Sequence, residues 1–192
     1  MQLTDRQEAL LEFVKQEHGD QQRKYSDEPY WKHVVRVANI ASKYLKDGVE
    51  VAFCHDLLED TACTEKQLYN QLIAVGYPEE EASVIREGVV ELTDVYIKEN
   101  YPELNRRERK KREAERLWET SYLAQSVKYA DLIDNMNSIV DGEPGFARVF
   151  VREGVDILKG MRDGNIHLLI DCCYAIKKAK LELNLDAPRK YW

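Results

Sequence analysis

The stretch VAFCHDLLEDT, residues 51–61, constrains the fold more than any other part of the chain. His55 and Asp56 are adjacent, and Glu59 and Asp60 lie one helical turn further on, among mostly apolar side chains. At about 3.6 residues per turn, His55 and Glu59 share one helical face, while Asp56 and Asp60 share the next. Three carboxylates and an imidazole in a core-like segment need a counter-ion, and this donor set suits Mn²⁺, Fe²⁺ or Zn²⁺. The segment therefore predicts a buried helix that carries a divalent-metal site.

The remaining segments predict one helix after another. Thr4 and Thr64 are each followed three residues later by glutamine, which is the capping-box pattern of a helix N-terminus. No alternating run of β-branched residues is long enough to predict a sheet. We therefore expect an all-α fold in a single compact domain that spans residues 1–192. The expected helices cover about residues 5–16, 29–47, 49–60, 65–75, 78–94, 106–118, 121–140, 146–161 and 166–183.

The composition argues against several classes of protein. A formal net charge of −7 disfavours a general nucleic-acid binder, because such proteins carry excess basic charge. No apolar run approaches the ~18 residues of a membrane helix, and the N-terminus lacks a signal-peptide pattern, so we expect a cytoplasmic protein without membrane contact. The basic run at residues 106–116 is either a solvated helix face or a local phosphate site. We expect reduced thiols in or near the core at Cys54, Cys63, Cys172 and Cys173.

Two further helices carry polar groups on faces that should be buried. His33 lies at helical spacing from Tyr30, Val37, Ile40 and Tyr44, so its imidazole should face the core. A lone histidine there is more often a satisfied core residue than a metal ligand. A polar stripe at spacings of three and four marks the helix at 121–140, and it comprises Lys128, Asp131, Asn135 and Ser138. By itself this stripe is equally typical of a solvent-facing strip on an amphipathic helix.

The joint pattern of a histidine, an HD pair and a distant aspartate on three helices resembles the HD superfamily of metal-dependent phosphohydrolases. Further motifs narrow the resemblance to the (p)ppGpp hydrolase branch of the RelA/SpoT homologues, especially small stand-alone alarmone hydrolases such as the metazoan SpoT homologues. These motifs are HGDQQRKYSDEPYWKH at 18–33, HDLLEDT at 55–61, ELTD at 91–94 and KYADLIDNMNS at 128–138. The resemblance implies an HD-type helical fold with core motifs at about 5–140 and helices at about 146–183 packed on it.

The resemblance also implies residue roles. A single Mn²⁺, with Fe²⁺ or Zn²⁺ as alternatives, is expected on His33, His55, Asp56 and Asp131. Glu59 and Asp60 are expected to orient and deprotonate the attacking water. The implied substrate contacts are Arg23, Lys24, Lys128, Asn135 and Ser138.

The implied reaction is hydrolysis of the 3′-pyrophosphate of ppGpp or pppGpp, which gives GDP or GTP and pyrophosphate. The expected partner is thus a small-molecule nucleotide, and no oligomeric state is predicted. Two alternatives stay open: another nucleotide, such as ppApp or the 2′-phosphate of NADPH, or a non-catalytic regulatory HD protein. Asp134 and the dense basic run depart from the pattern of the family, and either could alter which nucleotide fits.

Overall fold

The computed structural model describes residues 1–24, 27–46 and 48–185, apart from the side chain of residue 141. Over these residues the protein is all-α, as predicted, and an isolated bridge pairs Gln22 with Pro29. None of the described helices is both long and apolar enough to span a bilayer. The helices are α1 (Asp5–His18), α2 (Trp31–Ala41), α3 (Gly48–Cys54), α4 (Leu57–Asp60), α5 (Glu65–Ala74), α6 (Glu79–Leu92), α7 (Arg106–Leu117), α8 (Tyr122–Gly142), α9 (Pro144–Leu158) and α10 (Ile166–Glu182).

The long helix α8 organises the core. It contacts α2, α3, α6, α9 and α10, so other helices cover it on several sides. Tyr129, Leu132 and Met136 are fully buried on it. Because α8 is enclosed, its polar stripe cannot be a solvent-facing strip. Asp131 is buried, and the other three members of the stripe are half-buried.

Side-chain caps define several helix starts. Thr4 and Thr64 both form the predicted capping boxes, in which the threonine hydroxyl accepts from the third backbone N–H and the glutamine reaches back. Asn105 forms a third capping box at α7, which sequence reasoning missed. These caps satisfy backbone N–H groups that have no partner within the helix.

The prediction of one continuous helix over residues 49–60 is wrong, because the structure divides this segment into two helices. α3 ends at Cys54 and α4 begins at Leu57, because Asp56 leaves helical geometry with φ −102° and ψ 0°. The four polar groups of the HD segment therefore do not share one continuous helix. His55 is buried, whereas Glu59 and Asp60 are exposed, so the expectation that all three carboxylates lie in the core is also wrong.

Other predicted boundaries moved by a few residues. The second helix ends at Ala41 rather than before Gly48, and Tyr44 is exposed instead of facing the core. The turn expected at residues 141–145 shrinks to Glu143, because α9 already begins at Pro144. Among the four cysteines, which are all free thiols, Cys173 is exposed and the other three are buried.

A buried glutamate fixes the segment between α6 and α7. Glu113 is 2% exposed, and its Oε2 accepts hydrogen bonds from the backbone N–H of Val95 at 3.0 Å and of Tyr96 at 2.9 Å. Its Oε1 pairs with Arg116, which in turn donates to the carbonyl oxygens of Glu91 and Thr93. This network holds the ELTD segment in place beside α4.

Replacing Glu113 with alanine is expected to lower the free energy of unfolding by about 3 kcal/mol, because two backbone N–H groups and a guanidinium lose their acceptor. Chemical denaturation measures the change. Glu115→Ala, at an exposed position on the same helix, serves as the control and should cost less than about 0.5 kcal/mol. Equal losses in the two variants would contradict the anchoring role of Glu113.

Candidate metal centre

Three helical segments bring imidazole and carboxylate groups to one point. His33 comes from α2, His55 and Asp56 from the break between α3 and α4, and Asp131 from α8. His33, His55 and Asp131 each offer a ligand atom, and these atoms lie within 4.8 Å of one another. The sequence-predicted ligands are therefore neighbours in space.

Asp56 completes this group through one carboxylate oxygen. Its Oδ2 lies 2.9 Å from Nε2 of His55 and 3.6 Å from Nε2 of His33. Nε2 of His33 is also 3.2 Å from Oδ1 of Asp131. The hydroxyl of Tyr30 donates to Asp56 Oδ2 at 2.6 Å, and burial raises the pKa of Tyr30, which keeps that donor protonated.

The donor geometry fits a divalent cation. Nδ1 of His55 lies 2.8 Å from the carbonyl oxygen of Ala52, so it carries the proton and leaves Nε2 facing the carboxylates. That Nε2 is buried and has no well-directed hydrogen-bond partner among the described residues. A buried polar atom without a partner is costly unless something else binds it. Two imidazole and two carboxylate groups are a donor set that Mn²⁺, Fe²⁺ or Zn²⁺ can use.

Electrostatics leads to the same conclusion. Burial alone would lower the pKa of His55, but the negative charges of Asp56 and Asp131 raise it well above its ordinary value. Burial would raise the pKa of Asp131, but the charge of Lys128 and the neighbouring imidazoles of His33 and His55 hold it well below its usual range. The two carboxylates therefore favour positive charge between them and the imidazoles, which a bound cation would supply.

Glu59 and Asp60 lie at the end of the short helix α4, beside these groups. Oε1 of Glu59 accepts from the backbone N–H of Asp94 at 2.5 Å, and Gln21 donates to Oδ2 of Asp60 at 3.2 Å. Partial desolvation of the Glu59 carboxyl and the charges of Asp94 and Asp56 raise its pKa to about 8. Both carboxylates are thus held by neighbouring segments, and both are reachable from solvent.

Four of the five predicted substrate residues contact the carboxylates of α8 or one another, and Lys24 lies apart from them. Lys128 lies 2.9 Å from Oδ2 of Asp131, and Asn135 donates to Oδ1 of the same carboxylate. Arg23 donates from one nitrogen to Asn135 at 2.7 Å and to Ser138 at 2.9 Å. Lys24 is exposed, and the described residues show no contact that brings it to this group.

Four groups that touch the site were not among the predicted site residues. Asp134 accepts hydrogen bonds from His33, Arg23 and Arg36, and hydrogen bonds from His33 and Arg36 outweigh burial in lowering its pKa. The signal for Asp134 was its spacing of three from Asp131, which puts both on one face of α8. The other three missed groups are Tyr30, Arg36 and Asp94.

A cleft between α7 and α9 gathers the basic run. Its volume is about 470 Å³. Lys110 in its lining forms an ion pair with the carboxylate of Asp94, and the backbone N–H of Asp94 donates to Glu59. Five cationic side chains and two acidic ones line this basic cleft: Arg106, Arg107, Lys110, Lys111 and Arg152, with Glu153 and Asp156.

Comparisons with known proteins place this fold. No protein-family model matches the chain, and no curated protein matches it. The structure of this chain is similar to the solved structure of a metazoan orthologue of SpoT, which is described as hydrolysing ppGpp and as having a role in starvation responses. The likeness has a TM-score of 0.75 at 20% sequence identity, and it covers 94% of this chain and 99% of that one. The chain therefore shares the overall fold of that protein, in agreement with the all-α fold expected from the sequence.

Proposed function

We propose that this protein is a divalent-metal-dependent hydrolase that removes the 3′-pyrophosphate of ppGpp or pppGpp. The observation that carries the proposal is the group formed by His33, His55, Asp56 and Asp131, in which Nε2 of His55 is buried without a well-directed hydrogen-bond partner among the described residues. The fold shared with a ppGpp hydrolase and the agreement of the sequence motifs support the same substrate class. Mn²⁺ is the proposed metal, and the donor set also suits Fe²⁺ and Zn²⁺.

The chemistry divides between the metal and the carboxylates of α4. A bound cation would supply positive charge that acidifies water and stabilises the charge developing on the phosphoryl oxygens. Glu59, with Asp60 beside it, takes the proton of the attacking water, and a pKa raised to about 8 makes the Glu59 carboxylate a stronger base than that of a free glutamate. The water oxygen bonds to the 3′ α-phosphorus as the bond from phosphorus to O3′ breaks. O3′ then takes up a proton and becomes the ribose hydroxyl.

Arg23 is placed to support a purine. Its guanidinium donates through its edge to Asp134 at 2.6 Å and also to Asn135 and Ser138, so these partners occupy the edge. The flat face of a fixed guanidinium can stack on a base, which suits a planar nucleobase.

The basic cleft supports a substrate rich in phosphate. Its lining carries more positive than negative charge in a chain whose net charge is −7, and two of its cations pair with protein carboxylates, Arg106 with Glu153 and Lys110 with Asp94. A phosphate group in the cleft would be attracted by the remaining positive charge. Lys110 and Asp94 connect this cleft to Glu59. The second phosphate group of ppGpp is an anion of suitable charge for that position.

Pyrophosphate release from ppGpp by the Mn²⁺-loaded protein tests this function, with pppGpp, ppApp and NADPH as competing substrates. We expect ppGpp and pppGpp to turn over fastest. Turnover of only ppApp or NADPH would show that the proposed substrate is wrong while the proposed mechanism still holds. No turnover of any nucleotide by metal-loaded protein would favour a regulatory HD protein instead.

Removing the Arg23 side chain is expected to raise KM for ppGpp about 10- to 100-fold, because stacking and charge together contribute about 1–3 kcal/mol. Arg23→Lys should restore little, since lysine keeps the charge but lacks the plane. Steady-state kinetics of Arg23→Ala and Arg23→Lys measure the effect. Arg148→Ala, at an exposed position on α9, is the control. An unchanged KM in Arg23→Ala would contradict the stacking role.

A further inference from the structure

The carboxylate of Asp134 is the meeting point of three donors from two other segments. Its Oδ2 accepts from Nδ1 of His33 at 2.7 Å and from Arg23 at 2.6 Å, while its Oδ1 accepts from Nε of Arg36 at 2.7 Å. Asp134 is only 6% exposed. A buried carboxylate that receives charged donors on both oxygens is held in one orientation.

The first consequence concerns His33. A carboxylate oxygen at Nδ1 requires that this nitrogen carry the proton, so Nε2 is the nitrogen left for a metal. Nε2 does face Asp131 at 3.2 Å and Asp56 at 3.6 Å. Asp134 therefore selects both the ring orientation and the tautomer that ligation by His33 needs.

The second consequence concerns Arg23. The same oxygen of Asp134 that accepts from His33 also accepts from this guanidinium, which lies in the segment between α1 and α2. A shift of Asp134 therefore moves both a proposed metal ligand and a proposed nucleotide contact. The two sites share one carboxylate, with no intervening residue.

The third observation is the balance of charge. Arg23 and Arg36 place two guanidinium groups beside an imidazole that is expected to bind a cation. Arg36 has a second acidic partner in Glu28, with 2.8 Å to each carboxylate oxygen. Arg23 has Asp134 as its ion-pair partner among the described residues. Without the carboxylate of Asp134, the charge of Arg23 would oppose metal binding at His33.

We propose that Asp134 is a positioning residue that fixes His33 and Arg23 together and thereby couples metal binding to nucleotide binding. The inference rests on the metal centre of the proposed function, but it does not depend on which nucleotide is hydrolysed. Asp134, the acidic residue that departs from the pattern of the resembled family, is thereby assigned to the metal centre.

Calorimetric titration of metal-free Asp134→Asn with Mn²⁺ tests the first half of this proposal. We expect the dissociation constant to rise about 10- to 100-fold relative to the wild type, because the amide removes the negative charge that strengthens the bond to Nδ1 of His33 and balances Arg23 and Arg36. Asp171→Asn makes the same chemical change at an exposed carboxylate of α10 that accepts from Tyr44, and it should leave the constant unchanged. Equal affinity in Asp134→Asn and the wild type would overturn the proposal.

Arg36→Ala separates positioning from general damage to the network. It removes the donors of Arg36 to both oxygens of Asp134 and leaves the contacts of Asp134 with His33 and Arg23. We expect a change of less than about 3-fold in Mn²⁺ affinity, because the orienting contact remains. A loss as large as that in Asp134→Asn would show that any disturbance of this region weakens the metal, and the proposal would fail.

GDP binding to the Mn²⁺-saturated protein tests the coupling. Arg23→Ala should weaken GDP binding in the wild-type background and should weaken it less in Asp134→Asn, where Arg23 has lost its ion pair and keeps only its hydrogen bonds to Asn135 and Ser138. Equal losses of GDP affinity in the two backgrounds would contradict the proposed coupling. Failure of ppGpp turnover would leave these metal and GDP titrations interpretable, so the two proposals fail separately.

A measurement on the wild type alone keeps the inference testable if Asp134→Asn does not fold. Histidine ¹H–¹⁵N spectra of the Zn²⁺-loaded protein should show a protected, hydrogen-bonded Nδ1–H on His33, with Nε2 as the ligand. A spectrum in which Nδ1 of His33 binds the zinc, or in which its Nδ1–H exchanges freely, would contradict the role of Asp134.

Discussion

Asp131→Asn is expected to lower kcat/KM for ppGpp by at least about a thousandfold, which is the size of effect seen when an essential catalytic group is removed. The carboxylate of Asp131 lies 3.2 Å from His33 and 2.9 Å from Lys128, and it also accepts from Asn135. An amide of the same size keeps the packing but removes the negative charge that the cation would need. Steady-state pyrophosphate release at saturating Mn²⁺ measures the loss.

Two controls sharpen this result. Asp171→Asn makes the same change at an exposed residue of α10 and should retain full activity. Partial recovery of Asp131→Asn at much higher Mn²⁺ would assign the loss to metal binding. Wild-type kcat/KM in Asp131→Asn would remove Asp131 from the metal centre.

Glu59→Gln is expected to lower kcat about 10²- to 10⁴-fold while Mn²⁺ affinity stays close to that of the wild type. Glutamine retains an oxygen that can accept from the backbone N–H of Asp94, so the position of the side chain should change little. The amide cannot accept the proton of the attacking water, which is the role proposed for Glu59. Kinetics and calorimetry on the same preparation separate proton transfer from metal binding.

Asp60→Asn provides the comparison. Its Oδ2 is held by Gln21, and the two carboxylates are expected to act as a unit. The double variant should therefore be little worse than the more damaging single variant. Full activity in Glu59→Gln and in Asp60→Asn would contradict the assignment of the base to α4.

The residues proposed as metal ligands could be picked out because each lies in a local motif, and the fold class could be predicted because helical patterning is local. The geometry that brings these residues together could not be predicted. Asp56 turns Oδ2 to 2.9 Å from the His55 ring only because the backbone leaves the helix between α3 and α4. A continuous helix would point adjacent side chains about 100° apart. The apolar residues around the motif gave no sign of that break.

The network around Asp134 could not be predicted for a different reason. Its contacts join positions that lie 98 to 111 residues apart, and no local pattern encodes such pairs. The stripe on α8 identified the face, but a solvent-facing interpretation of that stripe was equally consistent with the sequence. Burial of Asp131 and Asp134 beneath the neighbouring helices distinguishes the two interpretations.

Titration of chelator-stripped protein with Mn²⁺, beside His55→Ala, tests the central claim most directly. Nε2 of His55 is buried between the carboxylates and has no well-directed hydrogen bond to any described residue, so a metal centre here must use it. The account predicts one Mn²⁺ per wild-type chain, a rise in melting temperature on binding, and loss of both in His55→Ala. No binding by the wild type, or equally tight binding by His55→Ala, would contradict it.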